Sequence, residues 1–259
     1  MTRRTTPVPI AALAAIGIAF VAVPIAALLI RAPWSEIGSE LSSSGAWVAL
    51  RLSIEVSLAA AALSFVLGAP IAWVLARSRL PARSVLRAIV ILPLVLPPVV
   101  GGIGLLHALG REGIVGRWLY ELGIQVTFTT TGAVIAATFV SIPLVILATE
   151  AGLRSLDPRF ESAAATMGAS RAYVLRRVTI PLLKPQLAAG IVLAWARALG
   201  EFGATITFAG NLAGRTQTLP LAVYEARQTD PGGAIVTSLL LVALSLIVLV
   251  AMRDRIFGR

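Results

Sequence analysis

Leu187-Ala-Ala-Gly190-Ile-Val-Leu-Ala194-Trp195-Ala196-Arg197-Ala198-Leu-Gly200-Glu201-Phe-Gly-Ala204-Thr205-Ile-Thr207-Phe208 is a run of 22 residues that holds one base and one acid. As a helix rising about 1.5 Å per residue, it covers the roughly 30 Å of a hydrocarbon core. The strict alternation over about ten residues that marks a membrane β-strand is missing. Gly190, Ala194 and Ala198 recur four apart, with Ala196, Gly200 and Ala204 beside them. Such a face lets another helix approach closely. The spacing leaves open whether that helix belongs to this chain or to a second copy.

Five more runs share this character: Val8–Ile30, Leu52–Ala76, Ala88–Leu109, Gly132–Ala148 and Ala234–Met252. The second of the six carries its own small face at Gly68, Ala72 and Ala76. The 259-residue chain is 58% hydrophobic and only 13% charged, about half the usual share of charge. That composition excludes a disordered chain and fits poorly with a soluble domain. The expectation is an all-α polytopic protein of the cell membrane. It would have six transmembrane helices in one transmembrane domain over residues 1–259, with the lipid bilayer as its surroundings. Val8–Ile30 follows Arg3 and Arg4, as a signal peptide would, but its 23 residues exceed the apolar core of about 7–15 found there. It is read as a retained span.

Basic residues set the orientation. With the N-terminus placed in the cytoplasm, the inner segments hold fifteen bases and the outer segments six. The inner set includes Arg3, Arg4, Arg77, Arg79, Arg83, Arg87, Arg154, Arg159, Arg171, Arg176, Arg177, Lys184, Arg253, Arg255 and Arg259. This satisfies the positive-inside rule with both termini cytoplasmic. Trp34, Trp47, Trp118 and Tyr120 then fall at the outer interface. The net charge of +10 divides into a basic inner face and a neutral outer one. It therefore reports topology and gives no sign of nucleic-acid binding.

Two interruptions stand out. Pro93, Pro97 and Pro98, followed by Gly101, Gly102 and Gly104, break the third run and read as a hinge or part of a pathway. Between the fourth and fifth runs lies a polar loop over 155–181. Asp157 suits an N-cap and Pro158 the first helical position. Glu161 sits in the first turn, where the helix dipole favours an acid. Leu156, Phe160, Ala163 or Ala164, and Met167 make an apolar stripe. Gly168 ends this helix, Ser170 caps a second, and Pro181 is expected to end that one. The resulting hairpin either lies on the membrane or docks a cytoplasmic partner.

The chemistry available is narrow. There is no Cys and one His, so thiol and paired-histidine metal sites are absent. His107, alone in its span, reads as a packing or hydrogen-bonding group. No Gly-x4-Gly-Lys-Ser/Thr pattern occurs. The chain is therefore not itself a P-loop ATPase and is expected to bind no cofactor or metal. A membrane-embedded enzyme would need clustered catalytic groups, yet Glu55 and Glu201 each have an Arg four residues away, Arg51 and Arg197. An ion-coupled secondary carrier is the competing class, though it would give the hairpin no evident role. The Arg197–Glu201 pair has two readings: a mutually neutralising structural pair, which the spacing favours, or an Arg beside an anion path.

The loop resembles the EAA loop of ABC importer permeases. Ser162-Ala163-Ala164, Gly168 and Val178-Thr179-Ile180-Pro181 fall on its pattern with the spacing intact. The leading Glu is replaced by Ser162, and Glu161 stands one position earlier. A second resemblance is to the molybdate permeases of that family and, less closely, the sulfate permeases. Arg197-Ala-Leu-Gly-Glu201-Phe-Gly-Ala204, Phe208-Ala-Gly-Asn211, Gly214-Arg-Thr-Gln-Thr-Leu-Pro220, Pro97-Pro98-Val-Val-Gly101 and Gly110-Arg-Glu-Gly113 carry it. It implies a type I importer (MetI-like) permease fold. It further implies a second copy of the chain, two cytoplasmic ATPase subunits that hold ATP-Mg, and one external oxyanion-binding protein. The loop would form the coupling helices docked on the ATPase. The cargo would be a tetrahedral oxyanion, molybdate before tungstate and sulfate or thiosulfate. Such a dianion passes best along amides, hydroxyls and small side chains that bind weakly, and Thr205, Thr207 and Asn211 are candidates to line the path.

Overall fold

The computed structural model describes residues 7–35, 37–43, 45–78 and 80–251. Arg3, Arg4, Arg79, Arg253, Arg255 and Arg259, and with them both termini, lie outside the described residues. The described chain is helical in every regular element: α1 (Val8–Arg31), α2 (Ile37–Ser43), α3 (Ala46–Arg77), α4 (Arg83–Val95), α5 (Pro98–Leu109), α6 (Gly116–Glu121), α7 (Thr130–Ser155), α8 (Pro158–Thr166), α9 (Arg171–Val174), α10 (Ile180–Leu199), α11 (Gly203–Phe208), α12 (Leu219–Thr229) and α13 (Pro231–Ala251). A π-turn at Leu175–Thr179 joins α9 to α10.

Five stretches are each long and apolar enough to cross a membrane: α1, α3, α7, the continuous Arg171–Leu199 and Pro231–Val250. The sixth run differs from expectation. Ala88–Leu109 is two helices, α4 and α5, whose axes meet at 116°. The cause is Pro97-Pro98: neither residue has an N–H to continue the ladder, and a residue before proline avoids the helical region. Leu96 and Pro97 are accordingly extended, at ψ 138° and 130°.

The fifth run also differs. Its helix begins sixteen residues earlier, at Arg171, and stops at Leu199 rather than Phe208. Pro181 does not end the helix before it. The π-turn immediately upstream widens the backbone and takes up the clash that the proline ring would make in a tight α-turn. Gly200 then ends α10, and α11 restarts at Gly203.

The centre is a three-helix packing of α3, α7 and α10. The small faces explain its closeness. Gly68 on α3 lies against Ile142 and Val145 of α7, and Gly190 on α10 lies against Val145 and Ala148. Both faces are therefore used within the chain, around one helix. Without water to drive apolar association, tight contact and interhelical hydrogen bonds hold such helices together. The Ser64 and Ser141 hydroxyls pair at 2.9 Å, Trp195 Nε1 donates to Ser57 at 3.0 Å, and the Leu219 amide donates to Ser53 at 2.7 Å. Helix α1 has no buried residue and touches mainly α13.

Candidate coupling hairpin and translocation site

The hairpin starts and stops where its caps require. The Asp157 carboxylate accepts the Arg159 amide at 2.9 Å, satisfying one orphan donor of α8. At the other end Gly168 has φ +83°. Its amide donates to the Ala165 carbonyl at 3.0 Å, and that of Ala169 to Ala164 at 3.1 Å. This reverse turn needs the left-handed backbone that glycine adopts without strain. The Ser170 hydroxyl accepts the Tyr173 amide at 3.3 Å and opens α9.

The two faces of α8 differ. Phe160 and Met167 are 55% and 87% exposed and point away from the bundle, with Ser162 and Ala163 also exposed and Ala164 half-buried. Glu161 points inward. Its carboxylate accepts from Arg77 at 3.1 Å and from the Thr179 hydroxyl at 2.7 Å. Thr179 is buried in the π-turn. One acid thus joins α8 to the end of α3 and to the head of α10. A step of one residue turns a helical side chain by about 100°, so Glu161 and Ser162 face different surroundings. A cleft of about 600 Å³ lies beside Glu161, walled by Trp73, Arg77, Ala165, Arg171 and Leu175. Pro181 is exposed on the far side of the π-turn.

At the α10–α11 break, Glu201 is buried and its carboxylate holds two donors. Arg197 Nη1 donates at 2.7 Å, and the Ala204 amide at 2.7 Å. The acid neutralises Arg197 and caps α11. Arg51 and Glu55 also pair, at 2.6 Å, on the exposed surface. Thr205 is buried inside the subunit. Thr207 turns its hydroxyl onto its own helix, donating to the Gly203 carbonyl at 2.9 Å. The Asn211 amide donates to Glu225 at 2.7 Å, and Gln217 donates to the same carboxylate at 2.6 Å. A dianion at Asn211 would meet that carboxylate, so this amide is already committed to an acid.

The bent pair α4 and α5 closes over the same region. Pro93 lies within α4, and Pro97 and Pro98 sit at the bend. Gly101 is buried against the Phe139 ring of α7. Gly102 faces α11 so closely that a Cβ there would overlap the Thr207 hydroxyl. The bend thus places α5 directly against α11, beside the Arg197–Glu201 pair. His107 is exposed on α5. Missed by reasoning on the sequence were Arg77, Thr179, Gln217 and Glu225. Their partners lie from 8 to 84 residues away, at spacings longer than any contact within one helical turn.

Residues 68–256 match the family described as binding-protein-dependent transport system inner membrane component. The chain belongs to this family. It is an inner-membrane component, and the match takes in every break and cap described above from Gly68 onward. Among similar family members is the molybdenum transport system permease protein ModB of Mycobacterium tuberculosis, 47% identical over 92% of this chain and 90% of that one. The sulfate transport system permease protein CysT of Salmonella typhimurium is 34% identical over 85% of this chain and 81% of that one. Among solved structures, the MetNI methionine ABC transporter in inward-facing form is similar at a TM-score of 0.62. The likeness covers 91% of this chain and 97% of that one at 16% identity. At that identity the likeness concerns the fold alone.

Proposed function

We propose that this chain is the translocation subunit of an ATP-driven importer of a tetrahedral oxyanion, molybdate first. The observation that carries the reading is the 47% identity, across nearly the whole of both chains, to a molybdenum transport system permease. In this reading residues 1–259 form one transmembrane domain with six spans, α4 and α5 together counting as one, and both termini are cytoplasmic. Two copies enclose the path. Two ATPase subunits bind ATP-Mg, and an external binding protein delivers the anion.

The hairpin over 155–181 couples the two parts. Its open face, with Phe160 and Met167, fits a groove on the ATPase in the helix-in-groove mode. Glu161 passes the movement of α8 to α3 through Arg77 and to α10 through Thr179. The Arg197–Glu201 pair is structural: with its charge taken by Glu201, Arg197 does not hold the anion in a deep trap. Of the candidate path residues, Thr207 and Asn211 are partly open, whereas Thr205 is enclosed.

The test is uptake by cells that lack their own molybdate permease, supplied with this chain, its ATPase and its binding protein. Saturable molybdate uptake that excess sulfate leaves unchanged is the expected result. Equal competition by sulfate would move the cargo to the sulfate class, favoured next by the 34% identity. Uptake that persists without the ATPase would favour an ion-coupled carrier instead.

A further inference from the structure

At the start of α7, the end opposite the hairpin, the chain encloses a pocket of about 280 Å³. Leu109 and Val126 line it with apolar surface, and Arg111, Tyr120, Gln125 and Thr127 add polar groups. No acid lines it, although Glu112 and Glu121 are near in sequence. Arg51, Arg77, Arg83, Arg87, Arg154 and Arg197 each meet a carboxylate, Arg83 that of Glu150 at 3.8 Å. Arg111 meets none among the described residues. Its guanidinium carbon instead lies 4.5 Å from the centre of the Tyr120 ring. A guanidinium over a ring face is positioned while its N–H edges stay free. Thr127 gives a second sign. It is 6% exposed and lines the pocket, yet its hydroxyl has no hydrogen-bond partner among the described residues. Such a group is costly unless something in the pocket meets it. The turn that holds Thr127 is strained. Phe128, next in the chain, has φ +59°, which a bulky residue keeps only where its surroundings impose it. Its ring packs on Gly210, just beyond α11, where an added Cβ would lie 3.0 Å from it.

We infer that this pocket is a binding site for a tetrahedral oxyanion, held by the Arg111 guanidinium and the Thr127 hydroxyl. A guanidinium offers two parallel N–H groups to two oxygens of such an ion, and the hydroxyl donates to a third. The volume takes the five-atom ion with several waters, at about 30 Å³ for each water. One base and one hydroxyl in a wet pocket hold a dianion weakly, which suits a site that must pass it on. In the topology proposed above the pocket lies on the outer side, where the ion arrives, and Phe128 ties it to the end of α11. The inference rests on that topology and on an oxyanion cargo for its place in transport, whereas binding itself depends only on the pocket.

Equilibrium dialysis of the full chain in nanodiscs of zwitterionic lipid against molybdate tests it, with bound molybdenum measured per chain. Saturable binding is expected, competed by sulfate and unchanged by chloride at equal ionic strength. Arg111→Gln should weaken it on the order of tenfold, the loss of one charge-assisted hydrogen bond. Thr127→Val keeps the shape, removes the hydroxyl and should weaken binding about threefold. Arg117→Gln, which removes a base over Trp118 outside the pocket, should change nothing. No saturable binding, or equal binding by wild type and Arg111→Gln, would overturn the site, as would equal competition by chloride. Should Arg111→Gln not assemble, unchanged binding by Thr127→Val would overturn it. A chain that binds no molybdate alone, but loses the external binding protein in Arg111→Gln, would assign the base to a protein carboxylate and overturn the oxyanion site. The transport reading fails separately: molybdate bound through Arg111, with none taken up by the assembled importer, would keep the site and remove the cargo.

Discussion

At Glu201 a single buried carboxylate accepts from Arg197 and from the Ala204 amide, so its removal strands two donors in a low-dielectric core. Glu201→Gln keeps an oxygen for the amide and loses the charge balance. Glu201→Ala loses both. We predict a fall in thermal stability in the order wild type, Gln, Ala, with the alanine variant down by about 3 kcal/mol, the lower end for breaking a buried pair. Equal melting of all three would show that the pair contributes nothing. Gly168 makes a second residue-scale case. At φ +83°, a β-branched side chain costs roughly 1–2 kcal/mol, whereas Asn tolerates this region. Gly168→Val should therefore lose copurification with the ATPase, and Gly168→Asn should retain most of it. Normal assembly of the valine variant would argue against the docking role of the hairpin.

Helix α8 is a short element held to the bundle chiefly by its contacts with α9 and the π-turn and by the ties from Glu161. Glu161→Gln keeps an acceptor for Thr179 and gives up the ion pair with Arg77. The expected outcome is a complex that assembles and hydrolyses ATP but moves less anion per ATP. Reversing the pair, Glu161→Arg with Arg77→Glu, should recover part of the loss. An unchanged ratio of uptake to hydrolysis in the single variant would assign Glu161 a purely local role. The α5–α11 contact gives a second element-scale expectation. Gly102→Leu inserts a side chain where Thr207 already sits, so α5 must lift from α11. Lower stability than in Gly104→Leu, where nothing lies within 4 Å, is the result to look for by thermal melting.

Over the whole molecule, charge asymmetry sets orientation, and the absence of Cys makes it easy to measure. Single cysteines at Tyr120 and Arg159, introduced into the natural Cys-free chain, should label from opposite sides. A membrane-impermeant maleimide should reach position 120 in intact cells and position 159 only after permeabilisation. The reverse pattern would invert the topology and move the hairpin away from any cytoplasmic ATPase. The aromatic residues near position 120 fit an interface. Trp118 is exposed, and Arg111 and Arg117 lie over the Tyr120 and Trp118 rings at 4.5 and 5.1 Å.

Apolar run length alone determined that this chain is a helical membrane protein, because burying a backbone in hydrocarbon leaves few alternatives. The caps at Asp157, Gly168 and Ser170 and the four-residue charge pairs were also legible, since each acts over one helical turn. Tertiary structure decided the rest. Proline marks a break but does not determine its angle: Pro97-Pro98 turns the chain sharply, whereas Pro181 passes through a helix because a π-turn makes room for it. The small faces of α3 and α10 gave no partner until α7 was seen between them. Arg77 with Glu161, Arg83 with Glu150, and Asn211 with Glu225 lie far apart in the chain or across a turn that the pattern does not encode. Such pairs form only when packing brings their helices together, because the energy that selects them is contact and charge at a few ångströms, which residue order does not record.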